Sequence, residues 1–120
     1  MGLQELTVER YEGVAEDQRI LLLKGPITIE TTPHFERAVR NECAETMILD
    51  LTDVPYVDSV GLGSLVATYV SHQKAGRCLV LTGLKPRVNH VMEITHVRDF
   101  FVTFTTTWEA VEALANTGSA

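Results

Sequence analysis

The stretch VPYVDSVGLGSL, Val54 to Leu65, sets a carboxylate beside a hydroxyl at Asp58 and Ser59, and glycines follow at 61 and 63. Such a pair can do three kinds of work. It can act in nucleophilic catalysis, join other acids around a metal or phosphate, or cap a helix. A nucleophile elbow needs G-x-S-x-G, which does not occur in the chain. GLGSL lacks the third glycine of a dinucleotide fingerprint, and no G-K-[ST] completes a phosphate loop. Asp50, Asp53 and Asp58 surround one strand end, a place where doubly wound folds hold magnesium or phosphate. Yet Asp50 falls inside a strand pattern and Asp53 precedes a proline turn, so turn chemistry accounts for both. His34, His72, His90 and His96 are scattered without H-x-x-x-H spacing and read as surface or helix-face residues. No metal and no cofactor is expected.

A helix cap remains, since Asp and Ser both accept hydrogen bonds from free N-terminal amides. Here two such residues stand where one suffices, after a long loop at the C-terminal edge of a central strand, where α/β folds place their sites. A hydroxyl in that position can be a switch. Phosphorylation of Ser59 would add about −1.5 to −2 charges. The helix N-terminus tolerates an anion, at about 0.3–1 kcal/mol in its favour. A docked acidic or apolar partner does not: like charge at an interface costs several kcal/mol, and about 1.4 kcal/mol is tenfold in affinity.

The elements that position this pair follow from periodicity. LQELTVERYEG puts Leu6 and Val8 on one face and Glu5, Thr7 and Glu9 on the other, a half-buried strand. ILLLKG, from Ile20, is its hairpin partner. TTPHFERAVRNECAE reads as a helix capped by Thr32, with Pro33 in its first turn and Phe35, Ala38, Val39 and Cys43 on one stripe. TMILDL is a strand buried on both faces. From Ser59, Leu62, Leu65, Val66, Tyr69 and Val70 recur at helical spacing, with Asp58 or Ser59 as cap and Gly76 closing the end. RCLVLTG and FFVTF are strands. LKPRVNHVMEITHV is a short helix with Val88, Val91 and Met92 inward. TTWEAVEALA carries a capping box, Thr106 to Glu109, and an apolar face of Trp108, Val111, Leu114 and Ala115. The order β-β-α-β-α-β-α-β-α predicts one α/β domain: a mixed, mostly parallel sheet, an antiparallel N-terminal hairpin and about four helices.

The 120 residues suit one domain with a real core, 45% of them hydrophobic. A net charge of −6 argues against direct nucleic-acid binding and against anionic membrane surfaces. No apolar run is long enough to span a membrane. MGLQELTVER lacks the basic and apolar regions of a secretory signal, and Leu6 occupies the Ser/Thr place of a myristoylation pattern. Cys43 and Cys78 lie outside any CxxC and read as buried thiols in a reducing compartment. A cytoplasmic protein is expected.

LTDVPYVDSVGLGSL resembles the signature of the STAS domain, as found in bacterial anti-sigma-factor antagonists: an acid, then Ser or Thr, a small residue and Gly-Leu after the central strand. GLKPRVNHVMEITHVRDFF resembles the family's later segment, and the element order matches too. The resemblance implies a STAS domain over 1–115, with 116–120 as a disordered tail. It implies a partner-switching regulator and not an enzyme. Ser59 would be phosphorylated by a serine-kinase anti-sigma factor, the unphosphorylated form would bind that kinase and free the sigma factor, and a phosphatase would reset Ser59. Asp58, Ser59, Val60, Gly61, Leu62 and Thr28 would form the partner-binding site, Asp58 orienting the hydroxyl and Gly61 permitting close backbone approach. Two positions depart from the family: Thr28 stands where an acid is frequent, and Val60 where Ser, Thr or Ala is common. The alternative within the fold is a phosphorylation-independent binding module, an accessory subunit of a transport or signalling complex. An enzyme or nucleotide binder using Asp53, Asp58 and Ser59 is the reading from a different class.

Overall fold

The computed structural model describes residues 5–15 and 17–117. The first four residues, weighed above for a leader, and residues 118–120 of the expected tail lie outside them. The elements are β1 (Thr7–Glu12), β2 (Gln18–Lys24), α1 (Thr32–Arg40), β3 (Thr46–Asp53), α2 (Ser59–Lys74), β4 (Cys78–Thr82), α3 (Pro86–Ile94), a 3-10 turn (Arg98–Phe100), β5 (Val102–Phe104) and α4 (Thr107–Thr117).

The strands form one sheet in the order β1-β2-β3-β4-β5, so β3 is central. β1 runs antiparallel to β2, and the remaining pairs are parallel, as the alternation of strands and helices requires. In β3 successive side chains leave opposite faces. Met47, Leu49 and Leu51 enter a core shared with Phe35 and Val39 of α1, Leu62 and Leu65 of α2, and Val88 and Met92 of α3. Ile48 enters a smaller cluster with Val80 of β4 and Ala110 and Val111 of α4. Three helices therefore cover one face and α4 the other. Full burial of each Leu or Ile contributes about 1.5–3 kcal/mol relative to exposure.

Local signals set most helix ends. The α4 capping box forms as its spacing requires: the Glu109 amide donates to Thr106 Oγ1 at 3.1 Å and the Thr106 amide to Glu109 Oε1 at 3.2 Å. Gly76, at φ +72°, closes α2, where the Arg77 amide reaches back to the His72 carbonyl at 2.8 Å.

Several expectations are corrected. α1 begins at Thr32, with Thr31 in the cap position and no side-chain cap bond from either. Thr31 Oγ1 is instead used within the loop, accepting from the Thr28 amide and donating to the Pro26 carbonyl, each at 2.8 Å. α1 stops at Arg40, so Cys43 falls in the connection to β3; Cys43 and Cys78 are both exposed, not buried. Val70 is exposed too, and the buried face of α2 instead includes Ser64, Thr68 and His72, which turn towards α1. Trp108 is 61% exposed; it lies about 110° round α4 from the midpoint of the buried pair Ala110 and Val111, at the edge of the face that meets the sheet.

Candidate functional site

β3 ends at Asp53 and the chain runs over Val54 to Asp58 before α2 starts. Val54 and Val57 are buried and anchor this connection, which leaves the residues after them at the surface. Ile27, just beyond β2, forms a parallel bridge with Val57 and so draws the β2–α1 loop alongside. The Ile27 amide donates to the Tyr56 carbonyl, and the Asp58 amide donates to the Ile27 carbonyl, both at 3.2 Å.

Asp58, with extended backbone, is the cap residue, which settles the choice between it and Ser59. Its Oδ1 accepts from the Gly61 amide at 2.7 Å. Its Oδ2 accepts from the Ile29 amide at 3.0 Å. One carboxylate thus caps α2 and fastens the β2–α1 loop to it. Burial opposes the charge on Asp58, but hydrogen bonds from the amides of Gly61, Ile29, Val60 and Asp58 itself outweigh it, and the pKa lies below the ordinary value.

Ser59 is the first residue of α2 and is exposed. Among the described residues its hydroxyl has no hydrogen-bond partner. The cap is made by Asp58 alone, so the helix does not need this hydroxyl. Val60 beside it is 42% exposed and Ile29 across the loop is 64% exposed, giving the hydroxyl apolar flanks. Thr28 is half-buried, and its Oγ1 accepts from the Glu30 amide at 3.3 Å, which keeps it within the loop turn.

Gly61 and Leu62 shape this surface from beneath. A Cβ on Gly61 would stand 1.9 Å from the Ile27 carbonyl oxygen, so only glycine lets α2 approach the loop this closely. Leu62 is 6% exposed and belongs to the core. Ser64 is also buried and donates to Glu36 Oε2 of α1 at 2.8 Å, which joins the two helices.

The structure thus gathers Asp58, Ser59, Val60, Gly61 and Thr28 around one helix start. Asp50 and Asp53 do not join them. Asp50 faces α4, where its Oδ2 accepts from Thr107 Oγ1 at 2.7 Å. Among the described residues no group of three or more His, Cys, Asp or Glu could hold a metal ion, and no helix is long and apolar enough to cross a membrane. Sequence reasoning missed Ile27 and Ile29, whose backbone groups complete the site. Their one visible trace was an apolar pair inside the loop GPITIE.

Comparison with known proteins agrees with this architecture. The family model described as the STAS domain matches residues 5–110. The anti-sigma-B factor antagonist of Listeria monocytogenes is 35% identical over 82 residues, covering 66% of this chain and 72% of that protein. The crystal structure of an anti-sigma factor antagonist from Mycobacterium paratuberculosis superposes with a TM-score of 0.78 at 22% identity, over 90% of this chain and 92% of the other. SpoIIAA, an anti-sigma factor antagonist, superposes in its unphosphorylated form with a TM-score of 0.72 at 16% identity, over 92% and 97%. The phosphorylated form from Bacillus superposes at 0.67 and 15%, over 90% and 99%. By its fold, its motif and the extent of these matches, the chain belongs to the STAS domain family.

Proposed function

We propose that the protein is an anti-sigma-factor antagonist, a binding module switched by phosphorylation of Ser59. The observation that carries this reading is the division of labour at the start of α2. Asp58 makes the cap and the loop contact, while the neighbouring hydroxyl is exposed and unbonded. Stability does not require Ser59, and a kinase can reach it.

In this reading the unmodified surface around Ser59, Val60, Ile29 and Thr28 docks a serine-kinase anti-sigma factor, which then releases its sigma factor. Phosphate on Ser59 sits at the positive end of the α2 dipole, where an anion is tolerated. The same charge lies next to the Asp58 carboxylate and between apolar flanks, where a docked partner meets it unfavourably. The fold persists and the complex dissociates. A phosphatase restores the hydroxyl. That SpoIIAA keeps this fold with and without phosphate supports the persistence of the fold. The chain's role is binding in the cytoplasm, without catalysis of its own.

The test is incubation of the full chain with ATP and each serine-kinase anti-sigma factor of its source genome, followed by intact mass measurement. One added phosphate is expected, on Ser59, and Ser59→Ala should abolish it while still binding the kinase. A wild type that binds such a kinase yet stays unmodified overturns the switch and leaves the phosphorylation-independent binding module.

A further inference from the structure

We infer that Arg87 is a docking contact for a carboxylate on the partner protein; this rests on the reading of Ser59 as a kinase-bound switch. The Arg87 guanidinium carbon lies 4.8 Å from the centroid of the Tyr56 ring, a cation–π contact between α3 and the β3–α2 connection. Tyr56 stands three residues before Ser59, and its carbonyl is held by the Ile27 amide that also fixes this loop. Arg87 is thereby placed on the segment that delivers Ser59 to the surface.

The contact leaves the guanidinium's charge unanswered. Among the described residues the ion pairs are Arg10–Glu42, Arg19–Glu42 and Lys24–Glu9, all of them away from α3. Lys85, Pro86 and Arg87 are all exposed, and the first turn of α3 holds no acid. A cation in a first turn opposes the helix dipole, so the stability of α3 does not explain Arg87. Among the described residues no hydrogen bond or ion pair engages the guanidinium, whose N–H donors can take a carboxylate in two parallel bonds. In a chain with 16 acids against 10 Lys and Arg, an exposed cation with no internal carboxylate is available to an acidic partner. Such a pair also raises the rate of encounter, an effect that added salt suppresses.

Titration calorimetry of the full chain against those kinases, with and without an unhydrolysable ATP analogue and at low and high salt, tests the assignment. Arg87→Ala and Arg87→Gln should each weaken binding about tenfold without nucleotide, Arg87→Glu should weaken it further, and all three should reduce the salt dependence. Their thermal midpoints should stay within a few degrees of wild type. Unchanged affinity in Arg87→Ala overturns the inference alone. So does a loss that charge reversal does not deepen and salt does not affect, which marks a packing contact. A loss seen only with the ATP analogue assigns Arg87 to nucleotide phosphate and overturns the carboxylate. A wild type that binds no such kinase overturns the reading of Ser59 and this inference together.

Discussion

The amide of Ile29 donates to Asp58 Oδ2 at 3.0 Å, a bond between residues 29 apart in the chain that locks the β2–α1 loop to the start of α2. With Oδ1 already on the Gly61 amide at 2.7 Å, the carboxylate has both oxygens committed. The hydroxyl next to it is left free.

Asp58→Ala should therefore cost more than an ordinary cap. Loss of the cap alone is worth about 0.5–2 kcal/mol, and Ile29 loses its acceptor as well. Thermal unfolding should show a midpoint lower by several degrees, and hydrogen exchange should show faster exchange at the amides of Ile29 and Gly61. Asp58→Asn keeps one acceptor oxygen and should lose less.

Ser59 should behave in the opposite way. Ser59→Ala and Ser59→Asp remove no cap, so each should shift stability by less than about 0.5 kcal/mol. Kinase binding by calorimetry should separate them, with Ser59→Ala near wild type and Ser59→Asp weaker by tenfold or more. A midpoint that collapses in Ser59→Ala would return the hydroxyl to a structural role.

The two glycines that flank Leu62 make a matched pair. Gly61→Ala drives a Cβ to 1.9 Å from the Ile27 carbonyl oxygen, backbone that cannot step aside cheaply. A loss of about 1–3 kcal/mol or more is expected in urea unfolding. A Cβ on Gly63 meets nothing within 4 Å, so Gly63→Ala should stabilise α2 by roughly 0.5–1 kcal/mol.

Acid should undo the contact from the Asp58 side. Its pKa in the folded protein is lowered from the ordinary 3.8 because the amide bonds to the charged form outweigh burial. A carboxyl shifted down on folding contributes its full stabilisation above the unfolded pKa and loses it as pH falls through the folded one. The stability gap between wild type and Asp58→Asn should hold steady from neutral pH down to about pH 5 and narrow below about pH 4. Urea unfolding at a series of pH values measures it.

Much of this fold was legible residue by residue. The Thr106–Glu109 spacing acts within one turn of backbone and became a capping box. The short apolar run in TMILDL became the central strand, with side chains buried on both faces. The readings that failed needed a helix end or a side-chain direction that periodicity alone does not supply. Helical spacing carried the first helix on to Cys43, whereas the chain leaves α1 at Arg40. Helical spacing put Trp108 on one apolar face with Val111, Leu114 and Ala115, yet the face of α4 that meets the sheet is set by Ala110 and Val111.

By itself the sequence determined the order of elements, the parallel arrangement and the place of Asp58 and Ser59 at a helix start. Those follow from propensities and spacings that act over a few residues. Only the tertiary structure decided that Asp58 is the cap and Ser59 the free hydroxyl, that Gly61 lies against Ile27, that Leu62 is core, and that Arg87 rests on Tyr56. Each depends on segments distant in sequence meeting at one register. The packing of the sheet sets that register, and no local rule of the chain contains it.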